Sequence, residues 1–180
     1  MLGNTPNRFG LLARCLHWFI AILTLGLIGM GWWMMDLGYY DPWYYASRQW
    51  HEALGLLVWL LGLFFACGHL VNRPPKSLTV KRAEKVASQI AHKLLYLSLL
   101  ALPVAGYLIE TADGKALELF GLVTLPAVTD GGERVRDAAA AIHTYGAYGL
   151  LGLVGIHAAG AVKHHLVDRD RTLMRTLSGR

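Results

Sequence analysis

The chain has 180 residues, a mean hydropathy of +0.38 and only 16% charged residues. A soluble domain is nearer a quarter charged, so this is the composition of a membrane protein, of a length that suits one bundle rather than two domains. The net charge of +5 does not point to nucleic acid, because the basic residues sit scattered at the ends of apolar runs. Two cysteines, Cys15 and Cys67, imply no disulfide framework.

In chain order, residues 1–10 form a polar lead-in. A first apolar span covers about Leu11–Met35. It is long and is followed by three more, so it does not read as a cleaved signal peptide. After WWMMDLGYYDPWYY comes a second span at about Trp50–Val71. NRPPKSLTVKRAEK is a polar connection, and a third span follows at about Ile90–Thr111, with Pro103 expected to kink it. A connection rich in Gly and acidic residues leads to a fourth span at about Ala138–Lys163, and VDRDRTLMRTLSGR is a polar tail. Each run is near the ~20 residues that a crossing helix needs. The expected fold is an all-α bundle of four transmembrane helices in one domain covering residues 1–180.

Orientation follows from Lys and Arg. With four crossings, both termini and the 72–89 connection share one side. That side holds thirteen of the seventeen basic residues, from Arg8 to Arg180, and is expected to be cytoplasmic. The other side holds Arg48, Lys115, Arg134 and Arg136 against nine of the twelve acidic residues, a net −5. Trp32, Trp33, Tyr39, Tyr40, Trp43, Tyr44, Tyr45 and Trp50 crowd this outer end. They read first as an interfacial belt, and second as a lid over an outer cofactor.

His143 and His157 lie inside the fourth apolar run, fourteen residues apart. Fourteen residues bring a helix back to nearly the same face after a rise of about 21 Å. Ionisable groups at membrane depth are costly and mark function. Two imidazoles stacked along one helix suggest two metals, and in a bundle the natural carrier is haem. No C-x-x-C-H motif is present, so haem would not be attached covalently through one. Depth assigns partners for two bis-histidine sites. His17, early in the first span, shares the inner depth of His157. His51, at the start of the second span, shares the outer depth of His143. Small residues follow each one turn on: Ala21, Gly55, Gly146 with Ala147, and Gly160 with Ala161. They would leave room for a porphyrin, although helix packing also selects them. His69 lies five turns after His51 on the same face and competes for an inner position. His69 and His92 stand at span ends, where water can satisfy them. His164 and His165 close the fourth helix, where positive charge complements the helix dipole. His164 has a second reading as a hydrogen-bonding group for a polar ligand beside the inner haem.

These histidines, together with His17-Trp18, YLIETADGK after Pro103, HTYGAYGLLGLVGIHAAGAVKHH and the tail VDRDRTLMRTL, resemble the bacterial di-haem cytochrome b561 family from about Asn4 to Arg175. The chain is most similar to the branch carrying YYDPWY after the first span. The resemblance implies two b haems on His17, His51, His143 and His157, and a quinone head group, with ubiquinone as ligand, placed by His164. It also implies electron exchange with quinone or oxidation of superoxide at the outer face. Members commonly carry arginines towards the inner end of the second span. Phe65 and His69 stand at about those positions here, and Arg14, Arg73 or Lys93 would have to replace them.

The expected function is transmembrane electron transfer between quinone and a periplasmic redox protein, in a multi-pass protein of the bacterial inner membrane. Besides lipid and quinone, a second copy of the chain is an optional partner. Superoxide oxidation ranks below this reading, because the outer face is net negative and superoxide is an anion. A haem-b anchor subunit of a larger oxidoreductase is the other alternative. Such subunits tend to have an extra span or longer soluble extensions.

Overall fold

The computed structural model describes residues 1–79 and 81–179. Arg180, counted above among the basic residues, lies outside them. The elements are α1 (Leu11–Met35), α2 (Tyr44–Val71), α3 (Arg82–Thr111), β1 (Leu117–Leu119), β2 (Val123–Leu125), α4 (Gly132–Leu166) and a short α5 (Thr172–Leu177). The four long helices are all apolar and long enough to cross a membrane. The chain is a mostly helical membrane bundle of four long helices, and departs from an all-α fold only in the short β1–β2 ribbon.

The first span matches α1 end to end, but the other three helices begin well before their apolar runs. Helix ends are set by caps and turns, not by where hydrocarbon begins. At α2 the Asp41 carboxylate accepts from Trp43 N–H at 2.8 Å and the Asp41 carbonyl from Tyr44 N–H at 3.0 Å. Pro42 is the second residue of this Asp41–Tyr44 turn, where its fixed φ is favourable. At α3 and α4, Glu84 and Glu133 occupy the first turn, where a carboxylate meets the positive end of the dipole.

α3 packs most extensively on α4, α2 bridges α1 and α3, and α1 approaches α4 at few points. The tight seams rest on missing side chains. A Cβ at Gly146 of α4 would stand 2.5 Å from Leu102 Cδ2, and one at Gly62 of α2 would stand 2.9 Å from Leu99 Cδ2. α3 runs through Pro103 without interruption. Pro103 cannot donate to the Leu99 carbonyl. In the same turn, Trp59 Nε1–H donates to the Leu100 carbonyl at 3.1 Å.

The two ends of the bundle are built differently. The terminal end is laced together by polar contacts. Asn4 N–H and Nδ2–H donate to Asn72 Oδ1 and O at 3.1 and 3.0 Å. α5 is clamped by Trp18 Nε1–H on the Thr176 carbonyl, Arg14 Nη1–H on the Leu177 carbonyl, and Arg175 on the Lys76 carbonyl. The other end carries a two-stranded ribbon in which Leu117 faces Leu125 and Leu119 faces Val123. Its turn has Phe120 at φ 51° and Gly121 at φ 67°, closed by Leu122 N–H on the Leu119 carbonyl. Two positive φ values make the hairpin-type turn whose twist matches the strands.

Gly146→Val should lower bundle stability by about 1–3 kcal/mol, because Leu102 is buried and has little room to yield. Gly149→Ala, where a Cβ meets nothing within 4 Å, should leave stability unchanged. Thermal unfolding in detergent separates the two.

Candidate functional site

α4 carries His143 in its first half and His157 in its second. The structure sets His51 of α2 opposite His143, with ring centroids 6.1 Å apart, and His17 of α1 opposite His157, with centroids 6.2 Å apart. Two imidazoles clamping one metal through bonds of about 2 Å place their centroids roughly 6 Å apart. Both separations fit such a clamp, and both pairs are those that membrane depth assigns. His92 of α3 also approaches His157, but at 5.0 Å and edge-on, which is close for two rings with a metal between them.

The pair at the ribbon end is the more fully defined. His143 Nδ1–H donates to the Leu102 carbonyl at 2.9 Å, which fixes the tautomer and leaves the Nε2 lone pair for a metal. His51 Nδ1 is buried and has no partner among the described residues. The glycines beside the rings are close fits. A Cβ at Gly106 would meet His143 Cε1 at 3.2 Å, and one at Gly31 would meet His51 Cε1 at 3.5 Å.

Between these imidazoles opens a cavity of about 830 Å³ whose wall includes Thr24, Trp32, Gly55, Val58, Ala147 and Tyr148. This is the size and mostly apolar character of a cofactor pocket. Gly55 and Ala147 line it, as the small-residue pattern suggests, and a Cβ at Gly160 meets nothing within 4 Å. Gly146 differs: its missing side chain makes room for Leu102. An orphaned imidazole nitrogen, a held partner imidazole and an apolar cavity between them fit a porphyrin with two axial histidines.

Sequence reasoning missed the polar part of the wall. Arg48, Glu52 and Glu110 line the cavity. The Arg48 guanidinium donates to the Glu110 carboxylate and lies 3.9 Å from Glu52. Glu52 follows His51 directly, and that adjacency was the available signal. The aromatic crowd mostly faces outward, with Tyr40 95% exposed. Trp32 alone of that group reaches the cavity, where its ring lies 6.0 Å from Tyr148. The others line no part of it.

At the terminal end, His164 Nδ1–H donates to Asp170 at 2.8 Å and lies 3.1 Å from Asp168. Burial pushes the Asp170 carboxyl up, but donation from Thr172 and His164 outweighs it and holds the group below the usual carboxylate range. Glu84, His164 and Asp168 converge closely enough for a metal. Lys163 Nζ already sits 2.6 Å from Glu84 and 2.7 Å from Asp168, so a cation is in place. His165 is exposed. His69 does not reach an iron-pair position; its Nδ1 is hydrogen-bonded to the Tyr96 hydroxyl at 2.8 Å.

The family model for prokaryotic cytochrome b561 matches residues 8–179. The chain belongs to the prokaryotic cytochrome b561 family. It is 35% identical to cytochrome b561 homolog 2 of Escherichia coli K12 over 97% of this chain and 93% of that one. It is 29% identical to cytochrome b561 homolog 1 of the same organism, covering 97% and 99% of the two chains. A probable superoxide oxidase of Yersinia pestis is 25% identical over 95% and 96%. The chain is therefore a multi-pass bacterial membrane protein with b-type haem that works in electron transfer.

Gly106→Val should push the His143 ring from its seat and lower haem content, while Gly160→Ala should not. The haem-to-protein absorbance ratio of purified samples reads the difference.

Proposed function

We propose that the chain is one di-haem domain over residues 1–180. His17 with His157 and His51 with His143 would supply the axial ligands. The observation that supports this is the pair of ring separations, 6.2 and 6.1 Å, at opposite halves of α4. When bound, each haem supplies a one-electron iron couple.

The chain's own residues do the rest. The Leu102 carbonyl orients His143 and makes it a better ligand. The apolar cavity wall keeps water away and lowers the local dielectric. Four imidazoles shared between two irons would leave neither with a vacant position, which favours a carrier over an oxygenase.

The excess of basic residues at the terminal end favours its placement at the cytoplasmic face of the bacterial inner membrane. Quinone, with ubiquinone as the leading candidate, would react at that end. His164 would serve it through Nε2, since Nδ1 is held by Asp170. At the ribbon end electrons would pass to or from a periplasmic redox protein. Superoxide oxidation is the second reading, favoured by the Yersinia pestis relative. Its electrostatics are mixed here: Lys115 and Arg134 stand in no ion pair among the described residues, but Arg48 is paired with Glu110 and Arg136 with Asp113. Neither guanidinium is left free to draw in an anion.

His51→Ala and His143→Ala should each lose the haem at the ribbon end only, and His17→Ala and His157→Ala the other only. Pyridine haemochrome assay of each purified variant should give about half the wild-type content. If His51→Ala retains the full complement, the pairing is wrong.

A further inference from the structure

A line of polar rings at the terminal half of the bundle has no role in the sites above. It starts at His92, whose ring is 5.0 Å from His157. His92 Nδ1–H donates to the Ser88 carbonyl at 2.7 Å. One turn further along α3 stands Tyr96, hydrogen-bonded through its hydroxyl to His69 Nδ1 of α2 at 2.8 Å. The Phe65 ring flanks both, 4.6 Å from His69 and 6.1 Å from Tyr96. The line thus runs from a proposed iron ligand on α4, across α3, to the last turn of α2, where His69 lies beside the polar 72–79 connection.

A packing hydrogen bond between two helices would account for the Tyr96–His69 contact alone. It would not by itself place a third titratable ring, that of His92, one turn away on α3 and against His157. The flank is also reachable from lipid, since Phe64 is 58% and Leu97 63% exposed. A lipid-soluble quinone travels on that side. Its chemistry demands more than electrons: quinone becomes quinol only by gaining two electrons and two protons.

We propose that Tyr96 and His69 form the proton-handling contact of a quinone site between α2 and α3, an inference that rests on the quinone reading above. The Tyr96 O–H donates to a quinone carbonyl oxygen. As that oxygen takes the proton, His69 Nδ1–H re-supplies the phenol oxygen, and His69 Nε2 takes a replacement proton from water at the end of α2. The bundle delivers one electron with each proton. That round leaves a semiquinone protonated on one oxygen; a second electron, with a proton taken by the opposite carbonyl oxygen from water at the polar end of the bundle, completes the quinol, and the same steps in reverse serve quinol oxidation. Imidazole is suited to the refill because it exchanges protons near neutral pH.

The test uses purified, haem-loaded wild type, Tyr96→Phe, His69→Phe and His164→Ala. Each is reduced chemically and mixed in stopped flow with decylubiquinone or with ferricyanide, an acceptor that needs no proton. Haem absorbance reports the rate. Tyr96→Phe and His69→Phe should slow oxidation by decylubiquinone by roughly a hundredfold. They should also abolish the solvent deuterium isotope effect of the wild type. The ferricyanide rate and the haem spectrum should not change. Wild-type quinone rates in both variants would overturn the proposal. So would equal losses with ferricyanide, which mean a distorted bundle, or a quinone defect confined to His164→Ala. A wild type inert to decylubiquinone would sink the quinone reading as well. A reactive wild type with equally reactive variants would sink this inference alone.

Discussion

The molecule is governed by the cost of placing imidazoles in hydrocarbon. α4 carries two of them on one face, about 21 Å apart along the axis, and each must have partners on a neighbouring helix. For His143 the partners are a backbone carbonyl on α3 and a second imidazole on α2. For His157 they are imidazoles from α1 and α3. The helix arrangement follows from this demand. α3 lies hard against α4 because it supplies the Leu102 carbonyl, and Gly106 and Gly146 permit that approach. α1 stays back from most of α4, as expected where imidazoles rather than backbones span the gap.

The two ends meet different requirements. The terminal end is stitched by hydrogen bonds among the N-terminal segment, the 72–76 connection and α5, with Lys163 neutralised by Glu84 and Asp168. Polar groups there can be matched by one another or by water. At the ribbon end, a small hairpin hangs over the mouth of the cavity. Leu117 and Leu125 contribute to the cavity wall, and Tyr107 O–H donates to the Pro126 carbonyl beside them. Apolar ribbon side chains thereby extend the cavity beyond the helix ends while leaving an acidic cluster, Glu52 and Glu110, around one guanidinium.

Much of this was legible in the sequence for a simple reason. Membrane crossing imposes a length and an apolarity that hydropathy reads directly, and α1 matched its apolar run from Leu11 to Met35. A polar residue inside such a run stands out, so His143 and His157 announced themselves, and depth alone chose His51 and His17. Other features were hidden because they depend on tertiary contact. The early start of α2 is written in Asp41-Pro42, a local signal that a hydropathy reading passes over. The ribbon turn puts a phenylalanine at positive φ, where Asn or Gly would be the recognisable residue. Gly146 looked like room for a porphyrin and proved to be room for Leu102. His92 is exposed, as its place near the start of the third span suggests, and its ring also approaches His157; α3 had to be docked on α4 before that approach could be seen.

The central claim is that α4 holds one iron near each end, each completed by a histidine from another helix. Low-temperature electron paramagnetic resonance of the oxidised, purified wild type tests it most directly, because every bis-histidine ferric haem gives a low-spin signal that can be integrated against protein. The account predicts two low-spin species, together amounting to two spins per chain. A single species at one spin per chain, or a dominant high-spin signal from iron with an open position, would contradict it.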